Sequence, residues 1–182
     1  MAIERLTSSP DTPLDGLYRR PGFLIRRAQQ IAVSLFLEET GALGITTTQY
    51  GILLVLKYQP GIDQISVAKA LGLDRSTTGM VLAKLEAAGL VGRTLGNDRR
   101  RRNLQLTRAG ERMLRDLSEP ARRAQSRVLS PFTEEERSQF LHLLEKFVAQ
   151  FNGSTRVPLE SPRAKGKPKI DPAQGKPARQ RR

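Results

Sequence analysis

The stretch "DQISVAKALGLDRSTTGMVLAKLEAAGLVGRTLGNDRRRRNLQLT", residues 63–107, narrows the fold furthest. Asp63 can cap a short helix carrying Ile65, Ala68 and Leu71 on its apolar side. Gly72 suits the left-handed residue of a tight turn. Asp74 can cap a second helix, with Val81, Leu82, Leu85 and Ala88 apolar and Gly89 as its stop. Two helices joined by a few residues around a glycine, with small Ala68 at the crossing, read as a helix-turn-helix. Taken alone, the stretch also fits an ordinary α-hairpin. The residues that follow favour the first reading. "LVGRTL" and "RNLQL" are short extended segments, and Leu104 and Leu106 alternate with polar neighbours as in a half-buried strand. Gly96, Asn97 and Asp98 between them are turn residues. A helix-turn-helix followed directly by a β-hairpin is a winged helix, and it places the arginine run 99–102 on the wing tip and returning strand.

The flanks are helical. In "PGFLIRRAQQIAVSLFLEET", Leu24, Ala28, Ile31 and Leu35 form one apolar row, with Ile25, Ala32 and Phe36 beside it. Gly41 and Gly44 end that helix. Thr46 and Gln49 match a capping box for a helix carrying Tyr50, Leu53, Leu54 and Leu56, which stops near Tyr58, Gln59, Pro60 and Gly61. Thr107 caps a fifth helix through Met113, Leu114 and Leu117, and Pro120 is expected to kink it before it resumes through Ala124, Val128 and Leu129. Thr133 and Glu136 form a second capping box. The last helix carries Phe140, Leu144, Phe147 and Phe151 on one stripe. The first and last helices have more apolar surface than a small winged-helix core can cover. They pack either within the chain or against the same helices of a second copy; a two-fold dimer, the commonest oligomer, is the favoured arrangement.

The expected fold is mainly α with a small β-hairpin: a winged helix-turn-helix domain flanked by N- and C-terminal dimerisation helices. The expected boundaries are a flexible arm at 1–14, an N-terminal dimerisation helix at 15–45, the DNA-binding domain at 46–106, C-terminal dimerisation helices at 107–152 and a basic tail at 153–182. That tail has nine Lys/Arg against Glu160 and Asp171, and five prolines. It is too poor in large apolar residues to offset its ordering entropy, so disorder is expected there.

Across the chain 31 Lys/Arg stand against 18 Asp/Glu, a net charge of +13. The excess points to an anionic partner, nucleic acid before membrane surface. With no cysteine, disulfides, thiolate metal sites and thiol redox sensing are excluded. No apolar run approaches the about 18 residues of a membrane span, and the N-terminus lacks an apolar signal core, so a cytoplasmic protein is expected. No nucleophile–base pair, metal-ligand cluster or phosphate-binding glycine loop is present, so no enzyme, cofactor or metal is expected.

"ALGLDRSTTGMVLAKLEAAGLVGRTLGNDRRRRNLQLTRAGE" resembles the recognition helix and wing of the multiple antibiotic resistance regulator (MarR) family. Its signature is Asp-x-Arg in the wing, then Leu-Thr-x-x-Gly, present as Asp98, Arg100, Leu106, Thr107 and Gly110. In element order the likeness runs from about Leu24 to Phe151. It implies a homodimeric, nucleoid-associated bacterial transcription factor on a palindromic double-stranded DNA operator, released by a small anionic ligand. Arg101 stands where the family usually has a small residue, and Gly79 and Met80 stand where polar or basic residues are commoner. Pro120 bears on the geometry of the dimer arm.

The N-terminal residues of a recognition helix lie nearest the base edges. Those are Arg75, Ser76, Thr77 and Thr78, with Lys84 further along. Arg75 suits bidentate readout of guanine, while Ser76 and Thr77 fit phosphate contacts or simple capping beside Asp74. The resemblance implies that Asp98 orients a wing arginine, with Arg99, Arg100 and Arg101 as the group that enters the minor groove, where narrow A·T tracts attract arginine. A nuclear localisation run or a merely solvated loop would explain the charge but not its position on a hairpin tip.

For the effector, the opening helix "RRPGFLIRRAQQIAVSLFLEE" is similar to the branch controlling aromatic-acid catabolism, some of whose members respond to aromatic acyl-CoA thioesters. Arg19, Arg20, Arg26 and Arg27 could pair with a carboxylate or with CoA phosphates, or form a solvated or DNA-contacting face. Phe23 and Tyr50 could wall a ligand or pack in the core. Lone His142 reads as surface or interface packing. The basic tail either strengthens nonspecific DNA binding or is a solvated extension. The alternative function is a nonspecific, architectural or RNA-binding protein using the same charge. Three Tyr, six Phe and no Trp, none in a strand, argue against RNA-type stacking platforms.

Overall fold

The computed structural model describes residues 15–95 and 102–160; those at 1–14, 96–101 and 161–182 lie outside the description. Seven α-helices and one hairpin are present among the described residues: α1 Asp15–Tyr18, α2 Pro21–Thr40, α3 Thr47–Tyr58, α4 Gln64–Leu71, α5 Arg75–Ala87, β1 Val91–Leu95, β2 Arg102–Leu106, α6 Arg108–Leu129 and α7 Glu134–Phe151. None of these helices is long and apolar enough to cross a membrane.

The caps anticipated from sequence form. Thr46 and Gln49 exchange both bonds of a capping box, as do Thr133 and Glu136. Asp63 accepts from the Ser66 amide, and Asp74 from the Thr77 amide. Gly72 and Gly89, which close α4 and follow α5, have φ of 63° and 68°. At these values a Cβ would be strained.

Strands β1 and β2 pair antiparallel, with Val91 opposite Leu106 and Leu95 opposite Arg102. The segment before α4 adds a partial third strand. Gly61 N–H donates to the Leu104 carbonyl, and Leu104 N–H donates to the Ile62 carbonyl, both at 2.9 Å. Both backbone groups of Leu104 are thereby tied to this segment, and the residue is fully buried in the main core with Ile52, Leu53, Leu56, Val67, Leu82, Leu85 and Leu117. That core lies under α3, α4, α5, the hairpin and the first half of α6.

A smaller cluster of Phe36, Ala121 and Ala124, with Tyr50 packed against it, joins α2 to the second half of α6. Glu39 binds Arg123 at 2.8 Å and Arg127 at 3.1 Å along the same seam, and Glu38 binds Arg127 at 2.8 Å. The two arginines hold the Glu39 carboxyl below its ordinary range, Arg123 more strongly. Helix α6 continues through Pro120 as a single helical element. The missing proline N–H costs one backbone bond, while Ala121 and Ala124, which follow Pro120, are packed against Phe36 of α2.

The tail does not begin at residue 153, as its composition predicts. The described chain continues to Glu160 as a strap. The Asn152 amide donates to the Leu159 carbonyl at 3.0 Å, and its oxygen accepts from the Leu159 N–H at 2.7 Å. Glu160 N–H donates to the Lys69 carbonyl, and its carboxylate pairs with the Lys69 ammonium, each at 3.0 Å. The Asn152 side chain, which both donates to and accepts from the Leu159 backbone, closes the loop, and Glu160 anchors its end to Lys69.

Candidate nucleic-acid interface

Helix α5 follows the tight turn after α4 and presents one face outward. Arg75, Ser76, Met80, Ala83, Lys84 and Ala87 are exposed, while Leu82 and Leu85 fill the core. At about 100° per residue, Ser76, Met80, Ala83 and Ala87 fall within roughly 60° of one another, with Arg75 and Lys84 at the two margins.

The start of this helix is organised by Asp74. Its carboxylate accepts from the Thr77 amide (2.8 Å), the Thr77 hydroxyl (2.6 Å) and the Ser76 hydroxyl (2.7 Å). These bonds, the Thr77 hydroxyl foremost, push the Asp74 carboxyl far below the usual carboxylate range. The hydroxyl protons of Ser76 and Thr77 are therefore committed to Asp74 rather than directed outward.

Thr78 corrects the expectation placed on it. It is 0% exposed, and its hydroxyl donates to the Asp74 carbonyl at 2.8 Å. A buried side chain satisfied by its own helix offers nothing to a groove. Arg75 and Lys84 remain the outward cations of α5 among the described residues. Gly79 also finds its reason: a Cβ there would stand 3.1 Å from the Gln64 amide nitrogen, which itself reaches the Arg75 carbonyl at 3.4 Å. The residue lies against the end of the Gln64 side chain on α4, a neighbouring helix.

The hairpin is fixed to α5 by an ion pair that sequence patterns do not single out. Arg93 on β1 binds Glu86 on α5 at 2.7 Å. At the other end of the hairpin, the Thr107 hydroxyl donates to the Gly89 carbonyl at 2.6 Å and accepts from the Gly110 amide at 3.0 Å. The Leu-Thr-x-x-Gly motif is thus a joint between hairpin, α5 and α6. The proposed wing residues Asp98, Arg99, Arg100 and Arg101 lie outside the described residues.

The residues considered for an effector do not form one constellation. Arg19, Arg20, Arg26 and Arg27 are exposed around the start of α2. Phe23 meets Tyr18 edge-on at 5.3 Å, and Tyr50 packs on Phe36 at 5.4 Å. Burial pushes the Tyr50 hydroxyl above its ordinary pKa, with Tyr58 adding to the effect. Tyr50 bridges the two cores. Phe36 and buried Thr40, whose hydroxyl donates to the Phe36 carbonyl at 2.8 Å, complete this region, and no sequence motif marks them as site residues. His142 is exposed on α7. Among the described residues no group of His, Cys, Asp and Glu is arranged to hold a metal.

A MarR family profile matches residues 43–101, from the end of the first long helix into the wing. The homoprotocatechuate degradative operon repressor of Escherichia coli is 31% identical over 128 residues, covering 69% of this chain and 86% of the repressor. Among solved structures, the PcaV transcriptional regulator of Streptomyces coelicolor is 33% identical with a TM-score of 0.65, covering 74% of this chain and 98% of PcaV. The transcriptional repressor CouR bound to a 23-mer DNA duplex is 28% identical with a TM-score of 0.70, covering 76% of this chain and 99% of CouR. CouR from Rhodococcus jostii RHA1 has also been solved with p-coumaroyl-CoA, at 27% identity and a TM-score of 0.63, covering 72% of this chain and 93% of that one.

Proposed function

The chain belongs to the MarR family of transcriptional regulators, and on that premise we propose that it is a homodimeric repressor that binds a palindromic DNA operator and is released by a small aromatic anion or its CoA thioester. The observation that carries the reading is the exposed face of α5, with Arg75 and Lys84 at its margins and a basic hairpin clamped beside it through Arg93 and Glu86. Arg75 reads a base edge and Lys84 a phosphate, while Arg99, Arg100 and Arg101, one of them aimed by Asp98, reach the adjacent minor groove. Exposed apolar residues on α2 and α7 (Leu24, Ile25 and Ile31; Leu144, Phe147 and Phe151) support the two-fold pairing, which sets two recognition helices about one DNA turn apart.

The effector half of the reading draws on the relatives, one solved with p-coumaroyl-CoA, and on the exposed cations Arg19, Arg20, Arg26 and Arg27. A ligand that favours another spacing of the recognition helices weakens DNA binding by its differential affinity for the two states.

The experiment is a titration of labelled duplex with the full chain at several salt concentrations, alone and with aromatic acids or their CoA thioesters. Specific binding weakened by one of these compounds, with that compound raising the melting temperature of the free protein, is the expected result. Arg100→Ala should flatten the slope of log K against log salt by about one unit. Unchanged affinity and slope in that variant would remove the wing from the interface. A screen in which no compound both stabilises the protein and loosens DNA would remove the effector.

A further inference from the structure

The outward face of α5 is unusually poor in hydrogen-bonding groups. Thr78 is buried, the hydroxyl protons of Ser76 and Thr77 are held by Asp74, and Gly79 has no side chain to offer. At the centre of the face stands Met80, 62% exposed, with Ala83 one turn further on and Ala87 beyond it. A large apolar side chain in the middle of such a surface calls for an apolar partner. In the major groove the one apolar group among the four bases is the C5-methyl of thymine.

We propose that Met80, supported by Ala83, recognises thymine methyl groups in each operator half-site, while Arg75 and Lys84 at the margins supply the polar contacts. The inference rests on the DNA-binding reading above and adds the class of base that the centre of α5 selects. The flexible thioether chain suits the task, because it can follow a methyl presented at slightly different positions in neighbouring base pairs.

The test compares duplexes that differ only in the methyl. Binding sites are first selected from a randomised duplex pool with the full-length protein. Deoxyuridine then replaces thymine, one position at a time, across the selected half-site. The wild-type protein should bind about fourfold more weakly for each contacted methyl that is removed, the scale of burying one such carbon. Met80→Ala, which removes the contact in both half-sites, should bind the thymine duplex about 16-fold or more weakly and no longer distinguish thymine from uracil. Arg75→Ala should lose affinity for both duplexes and keep the difference between them. Because the Met80 side chain is exposed, Met80→Ala should melt at the wild-type temperature, and Met80→Leu should retain the thymine preference. A flat uracil scan with the wild-type protein, or an undiminished thymine preference in Met80→Ala, would overturn the proposal. Failure to enrich any sequence from the pool would instead defeat the DNA-binding reading itself.

Discussion

Gly110 faces the backbone of Leu90 so closely that a Cβ built on it would overlap the Leu90 carbonyl oxygen. That carbonyl also accepts from the Thr107 N–H at 3.1 Å, so it cannot retreat without opening the joint between hairpin and α6. Gly110→Ala should therefore destabilise the protein, at or above the upper end of the about 1–3 kcal/mol typical of overpacking. Gly79→Ala is the control. Its Cβ would meet only the end of the flexible Gln64 side chain, and removing an interior helix glycine gains roughly 0.5–1 kcal/mol. Chemical denaturation should show opposite or sharply unequal effects, and equal losses would contradict these roles for the two glycines.

The start of α5 should be acid-sensitive. Asp74 has a folded pKa well below the about 3.9 of a free aspartate. A depressed folded pKa contributes stability that is fully present above the unfolded value and is lost as pH falls below it toward the folded value. Circular dichroism melts should thus decline as the pH falls below about 4. The decline should persist in high salt, because the bonds to Thr77 and Ser76 are short and local, whereas the pairs of Glu39 with the exposed Arg123 and Arg127 are partly screened. Asp74→Asn keeps an acceptor for the cap but does not titrate, so its decline in this window should be smaller. An identical acid profile would place the sensitive group elsewhere.

Much of this is legible in the sequence because it is local. Capping boxes at Thr46 and Thr133, the aspartate caps at Asp63 and Asp74 and the turn glycine Gly72 follow from residues three or four apart. The wing follows from alternation and turn composition. What escapes depends on pairings remote in the chain: Leu104 with Ile62, Arg93 with Glu86, Glu39 with Arg123 and Glu160 with Lys69. Thr78 shows the same limit within a helix. Its neighbours Ser76 and Thr77 have the same chemistry, but only the packing of α5 reveals which hydroxyl is buried.

Helix α7 has no buried residue in the isolated chain, and Phe147 on its apolar stripe is 47% exposed. Phe147→Glu combined with Phe151→Glu should therefore spare the winged-helix core and break the pairing of two chains. Sedimentation should show the mass halved, and operator affinity should fall by about 100-fold or more as binding to the second half-site stops being intramolecular. A double variant that remained dimeric would exclude this face from the interface.

The strap at 152–160 decides where the basic tail starts. Through Asn152, Leu159 and Glu160 it brings the chain to Lys69, and the Val157 carbonyl lies 3.6 Å from where a Cβ on Gly72 would stand. Gly72 is three residues before Arg75, so the described chain ends at Glu160 beside the turn of the helix-turn-helix. Residues 161–182 carry eight Lys/Arg and only Asp171 as an acid. If they neutralise phosphates flanking the operator, truncation after Glu160 should flatten the salt slope by about 0.9 for each phosphate left unneutralised, up to about seven units. The flattening should be large on a long duplex and small on one trimmed to the two half-sites, because only the long duplex offers flanking phosphates. Asn152→Ala keeps the charge but opens the clasp, so it should retain the slope on long DNA while reducing the dependence on where the flanks lie. Equal slopes for the full and truncated chains on long DNA would make residues 161–182 a solvated extension.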